Sequence, residues 1–231
     1  MLDETRFIEL RYVLERNDMS VVSRSNYFAC AKIFSKADSL SRYLIGKHDE
    51  NIESHVFQAY LSAAGNDAVI ISDTHPITSF IIIFPPGPFS FSRIRFLFSC
   101  GMKTLLQYGI SYFRNIFKFI SLSQKLRKKY TGDHSWYLAK FVSGDPKKGD
   151  KLLSVLLEWL DSNGEVVFSD GLSENDTYFA GKYGFDAIAV EKINKNIDYY
   201  ALFRKNQKLE DRKSTRLNSS HPTTSRMPSS A

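Results

Sequence analysis

The feature that most constrains this chain is the alternation in its last third. Residues 135-SWYLAKFVS-143 alternate as a strand does. They are followed by 146-PKKGDKLLSVLLEWLDS-162, whose leucines recur at helical spacing. Then come a strand at 165-EVVFSD-170, a short helix at 173-SENDTYFAGKYG-184, and strands at 185-FDAIAVEKI-193 and 197-IDYYALFRK-205. Strand, helix, strand, helix, strand, strand demands a mixed sheet with helices on its faces.

The preceding residues extend that plan. The β-forming run 7-FIELRYVLE-15 predicts a first strand. Residues 25–44 and 51–65 read as helices, the second with Asn51 as N-cap and Gly65 as stop. Two short strands are expected at 67-DAVIISD-73 and 77-ITSFIIIF-84. Residues 90–129 read as one or two helices, with apolar positions at 94, 98, 102, 105, 109, 112, 116 and 120 and basic residues between them. Such a segment can lie on a membrane surface. The reading preferred here is a helix packed on the sheet with a solvated Lys/Arg face, and peripheral membrane contact is not expected.

Composition bounds the function. A chain of 231 residues with 43% hydrophobic content fills one globular domain, expected over 1–210, with a helical insert at about 90–130 and a further half at about 134–205. The net charge is +6, but the residues from 211 onward supply part of it, leaving 1–210 at about +3. That is too little clustered charge for a nucleic-acid binder, though compatible with a phosphorylated small molecule. Cys30 and Cys100 make no disulfide framework or zinc cluster, and the five histidines show no metal-ligand spacing, so no metal is expected. The charged start MLDETRFIEL has no signal-peptide core, and no apolar run is long enough to span a membrane. The expected compartment is the cytoplasm. Residues 213-KSTRLNSSHPTTSRMPSSA-231 have almost nothing to bury, so 211–231 is expected to be disordered. This run also resembles a translated sequencing-adapter read-through.

His134 with 136-WYL-138, Asp145-Pro146, Leu156-Leu157, Phe179 and Gly184-Phe185 occur in an order that resembles the Gcn5-related N-acetyltransferase superfamily. The run 84-FPPG-87 and the long helical insert fit the same pattern, over about residues 7–205. The resemblance implies an α/β fold: a mixed, mostly antiparallel sheet flanked by helices, with a long helical insert. It also implies acetyl-coenzyme A as acyl donor and an amine, small molecule or peptide, as acceptor.

In that superfamily glycines at a helix start let backbone amides close on the cofactor's pyrophosphate. Here Lys148 aligns with the motif's glutamine, while Lys151 and Leu153 stand where its two glycines would be. Gly149 matches an additional glycine, and Asp150 adds a like charge. Lys147, Lys148 and Lys151 could hold a phosphate by charge instead. The same residues also read as a plain helix start, with Asp145 as N-cap and Pro146 at the first helical position. The backbone of Phe141 and Val142 is implied to hold the acetyl-pantetheine arm.

An amine of pKa near 10.4 is neutral to only about one part in 10³ at pH 7, so a base must help it attack. The superfamily branch often has a glutamate at the end of the strand before the last short helix, and Asp170 aligns there. The resemblance therefore implies it as amine anchor or base, with a turn aspartate as the alternative. The superfamily's acid tyrosine aligns with Ala180, leaving Tyr178 and Tyr183 as candidates for that role. A degenerate member that keeps the fold as a binding or regulatory module is the competing expectation.

Overall fold

The computed structural model describes residues 4–37, 44, 46–65, 67–74, 76–88 and 91–206, with only the backbone at 101–103. The tail expectation for 211–231 and the end of the predicted helix 25–44 lie outside the described residues. In chain order the elements are α1 (Glu4–Arg16), β1 (Met19–Val21), a 3-10 turn (Arg24–Asn26), α2 (Tyr27–Ala37) and α3 (Glu50–Ala64). Next come β2 (Val69–Asp73), β3 (Ser79–Phe84), α4 (Arg93–Thr131), β4 (Trp136–Ser143) and α5 (Pro146–Ser162). The last are β5 (Val167–Gly171), α6 (Glu174–Lys182), β6 (Asp186–Asn194) and β7 (Ile197–Arg204).

Seven strands form one sheet in the order β1-β2-β3-β4-β5-β7-β6. Every pairing is antiparallel except β4 with β5. Alternation in the strands divides the core. Ile81, Ile83, Trp136 and Leu138 face α1 and α5, while Phe80, Ile82, Tyr137 and Phe168 face the side of α2, α3 and α4. The sheet is therefore covered by helices on both faces, as the alternation in the sequence demands.

The run 7–15 is helix, not strand. Leu10 and Leu14, one turn apart, are fully buried, whereas Ile8 and Tyr12 are exposed. Period-2 burial would have placed Ile8, Leu10, Tyr12 and Leu14 on one face, so tertiary packing against α5 overrides the β propensity. The N-cap of α3 is Asp49 rather than Asn51, its carboxylate accepting from the amides of Asn51 and Ile52 at 3.0 and 3.1 Å.

The insert resolves the choice between one helix and two. Gly109 within α4 has φ of 75°, a left-handed conformation that breaks the helical path. The first arm folds back on the second: Phe96 meets the rings of Phe113 and Phe117 at 6.2 and 5.9 Å, and Arg93 donates to Ser121 at 2.7 Å. A straight helix would put residues 28 positions apart roughly 40 Å from each other. The second arm packs as expected, with Tyr112, Ile116 and Ile120 buried. The first does not: Ile94 and Phe98 are exposed. No helix among the described residues is long and apolar enough to cross a membrane.

Candidate active-site cleft

β4 and β5 pair only over Trp136–Val167, Tyr137–Phe168 and Leu138–Ser169. At that point β4 bulges. Ile83 of β3 is opposite Leu138 and Ile82 opposite Lys140, so Ala139 is the extra residue. A bulge bends its strand and ends regular pairing. Beyond it β4 follows β3 to Ser143, while β5 follows β7. The parting strands open a cleft of about 160 Å³, walled by Leu138–Phe141, Ser169–Leu172, Leu153, Phe179, Ala180 and Tyr183, with Phe119 of α4 at one side.

Asp170 sits in this cleft. Its carboxylate accepts from the hydroxyl of Tyr199 at 2.7 Å, from Ser123 at 3.2 Å, and from Tyr137. Phe168, Asp170, Tyr137 and Tyr199 share a face through the pairings of Phe168 with Tyr137 and of Asp170 with Ala201. Ser123 comes down from α4. Burial pushes the Asp170 carboxyl up to about 6, even though the three hydroxyls pull the other way. Tyr137 and Tyr199 are pushed up by burial and then by the charge of Asp170, so both remain neutral donors. Arg127 lies near, its guanidinium 5.9 Å from the centre of the Tyr137 ring and donating to the carbonyl of Ser135 at 2.5 Å. Lys140, beside the bulge, lines the cleft and holds its ammonium over Phe34 at 5.9 Å.

Three hydroxyl donors occupy about three of the four acceptor positions of a carboxylate, leaving about one for a ligand. The sequence marks Asp170, but its hydroxyl partners emerge only from topology. Period-2 alternation could have put Tyr137 and Asp170 on one face. Nothing local links Ser123 to them, 47 positions away.

The other expected site residues are dispersed. Tyr178 projects into solvent at 86% exposure and does not line the cleft. Tyr183 lines it, but its hydroxyl donates to Asp150, and burial together with that carboxylate raises its pKa. Asp150 also pairs with Lys182 at 2.9 Å, and these partners hold its carboxyl low. Phe141 faces the cleft and stacks on Phe179, ring centres 5.5 Å apart and planes 12° apart, whereas the Val142 side chain is buried on the opposite sheet face. Leu153 is buried and forms part of the cleft wall.

At the start of α5 the protein supplies its own anion. The Asp145 carboxylate accepts from the amides of Lys147 and Lys148 at 3.0 and 3.3 Å, with Pro146 at the first helical position. Lys148 lies 3.9 Å from Asp73, and Lys151 donates to the carbonyl of Asn17 at 3.0 Å. Gly149 is buried against β4: a Cβ there would fall 2.3 Å from Ser143 Oγ and 3.1 Å from Phe141 Cζ. Its lack of a side chain lets the helix close on the strand. Both cysteines are buried free thiols, pushed up to about 12 by burial, which keeps them out of thiolate chemistry.

No family model and no curated protein sequence matches the chain. Solved structures do. Arylalkylamine N-acetyltransferase 2 from Aedes aegypti superposes with a TM-score of 0.52 at 14% identity, over 82% of this chain and 98% of its own. A mosquito arylalkylamine N-acetyltransferase-like protein gives 0.52 at 12%, over 81% and 98%. The histone acetyltransferase HPA2 and related acetyltransferase from Corynebacterium glutamicum gives 0.50 at 11%, over 81% and 95%. At these identities the likeness is one of fold, and it matches the mixed seven-stranded sheet with its single parallel pair and flanking helices. The chain therefore has the fold of the Gcn5-related N-acetyltransferases.

Proposed function

We propose that this chain is an N-acyltransferase that uses acetyl-coenzyme A and acylates an amine in the β4–β5 cleft. The observation that carries the reading is the bulge at Ala139, which parts β4 from β5 directly beside a half-buried carboxylate with capacity for one more donor. The cofactor, when bound, supplies the acyl group as a reactive thioester. The residues present fit it in a modified form. Past Leu138, β4 has no strand partner on the cleft side, so the backbone of Phe141 and Val142 is offered to the amides of a pantetheine arm. Lys147, Lys148 and Lys151 would hold the phosphates by charge, since Asp145 already takes two amides at the helix start.

Asp170 anchors the acceptor as its ammonium and takes the proton the amine must lose. With a pKa of about 6 the carboxyl is about nine-tenths ionised at pH 7. Tyr137 and Tyr199 hold it in place and stay protonated. Ala180 lines the cleft where the related enzymes carry an acid tyrosine, so its side chain gives no proton to the leaving group, which takes one from water. The two unpaired cysteines accord with a cytoplasmic setting.

Release of free thiol from acetyl-coenzyme A in the presence of a panel of primary amines tests this reading. Turnover by the native chain, slowed at least about a hundredfold by Asp170→Asn, is the expected result. Thiol release no faster than hydrolysis with every amine would contradict it. A second reading, a binding module without catalysis, draws on the Phe141–Phe179 stack that joins β4 to α6 beside the cleft.

A further inference from the structure

Residues 93–131 hold nine lysines and arginines and no acidic residue. The first arm of α4 is also apolar on two sides. Phe96, Cys100 and Tyr108 are buried, Phe96 against the second arm and Tyr108 against Glu53 of α3. On the outside, Ile94, Leu97 and Phe98 are exposed, Phe98 at 84%, and the turn of the hairpin adds Leu106 and Ile110 at 80% and 77%. Phe28 of α2, 70% exposed, shares a hollow beside this face with Arg24 and Arg95. Large apolar side chains grouped on an exposed surface mark an interaction site.

Charge selects what covers it. Arg24 and Arg95 flank the patch beside Phe28. Lys47 reaches the carbonyl of Gln107 at 3.4 Å, next to Leu106, where Asp49 accepts from the Gln107 side chain at 2.7 Å. Cations outnumber the one carboxylate. A second copy would bring cations against cations. A nucleic acid would satisfy the charges yet leave Ile94, Leu97, Leu106 and Ile110 against phosphate. Anionic headgroups over an acyl region answer both features: apolar side chains enter the boundary while arginines and lysines stay among the headgroups. We propose that the first arm of α4, with its turn and Phe28, docks this chain on an anionic lipid surface. The expected helix packed on the sheet describes the second arm, while the first arm packs through Phe96, Cys100 and Tyr108 and leaves Ile94, Leu97 and Phe98 outside. This docking is independent of the catalytic reading, because the α4 residues at the cleft, Phe119 and Ser123, belong to the second arm.

Co-sedimentation of the full chain with vesicles of phosphatidylcholine, alone or mixed with phosphatidylserine, tests the proposal. The mixed vesicles should bind at least about tenfold more tightly, and binding should weaken as salt is raised. Ile94→Glu with Phe98→Glu should lower it at least about tenfold with an unchanged melting curve, since both side chains face solvent, and Leu106→Glu should act in the same direction. Failure of the native chain to bind mixed vesicles overturns the proposal, and so does native-like binding by these variants. A dimer that Phe98→Glu dissolves, with no vesicle binding, would assign the face to a second copy and overturn it equally.

Discussion

The Tyr199 hydroxyl donates to the Asp170 carboxylate over 2.7 Å, joining β7 to β5 inside the cleft where β4 has already turned away. The carboxylate is thus fixed before any ligand arrives, on a strand rather than a loop. Burial pushes its pKa up to about 6.

Acyl transfer should follow the ionisation of Asp170. If the carboxylate is the working form, as proposed, kcat/KM should fall about tenfold per unit of pH below about 6 and level off above it. The stability term has the opposite slope. A carboxyl raised from 3.8 to about 6 binds more protons folded than unfolded between those values, so stability falls as pH rises through that window. The loss amounts to at most about 3 kcal/mol. Asp170→Asn should abolish the acid limb of the rate and flatten this part of the stability profile, as followed by urea unfolding from pH 4 to 7.

Two glycines of neighbouring helices should respond in opposite directions. Gly149→Ala places its Cβ 2.3 Å from Ser143 Oγ and should cost about 1–3 kcal/mol. Gly181→Ala enters open space within α6 and should stabilise by about 0.5–1 kcal/mol. Thermal unfolding of the two variants distinguishes close packing at Gly149 from any need to leave it open.

Gly109→Ala tests the hairpin in the insert. The site has room, but φ of 75° is strained for any L side chain, so a loss of about 1–2 kcal/mol is expected. An unchanged melting temperature would mean that α4 does not turn at this residue.

Arg204 and Asp161 form a buried pair at 2.6 and 2.7 Å, and Arg204 also donates to the carbonyl of Tyr183 at 2.7 Å. The pair ties α5, α6 and β7 together behind the cleft. Arg204→Ala strands the Asp161 charge and should cost about 3–5 kcal/mol, measured by denaturant unfolding.

These residues also show how far the sequence can be read. α5 was legible to the residue, because Asp145-Pro146 caps it and Leu152, Leu153, Leu156, Leu157 and Leu160 follow with one period. The mixed sheet followed from the same alternation, whereas Asp170, on β5, was marked by its alignment with the superfamily that the chain resembles. α1 was not legible: its β-branched and aromatic residues mask a burial pattern set by α5, far away in sequence. Gly109 counts as one more small residue in a helical pattern until the packing of Phe96 on Phe113 and Phe117 requires a turn there. The hydroxyls around Asp170 come from three separate elements, and no local spacing encodes their meeting.

Calorimetric titration of acetyl-coenzyme A into the full chain, beside the triple variant Lys147→Ala/Lys148→Ala/Lys151→Ala, tests the central claim most directly. The native chain should bind at micromolar concentration, and removal of the three ammonium groups should weaken binding at least about tenfold. No heat at millimolar cofactor from demonstrably folded protein would contradict that claim, and the start of α5 would then receive only the protein's own carboxylates, Asp145 and Asp73 among them.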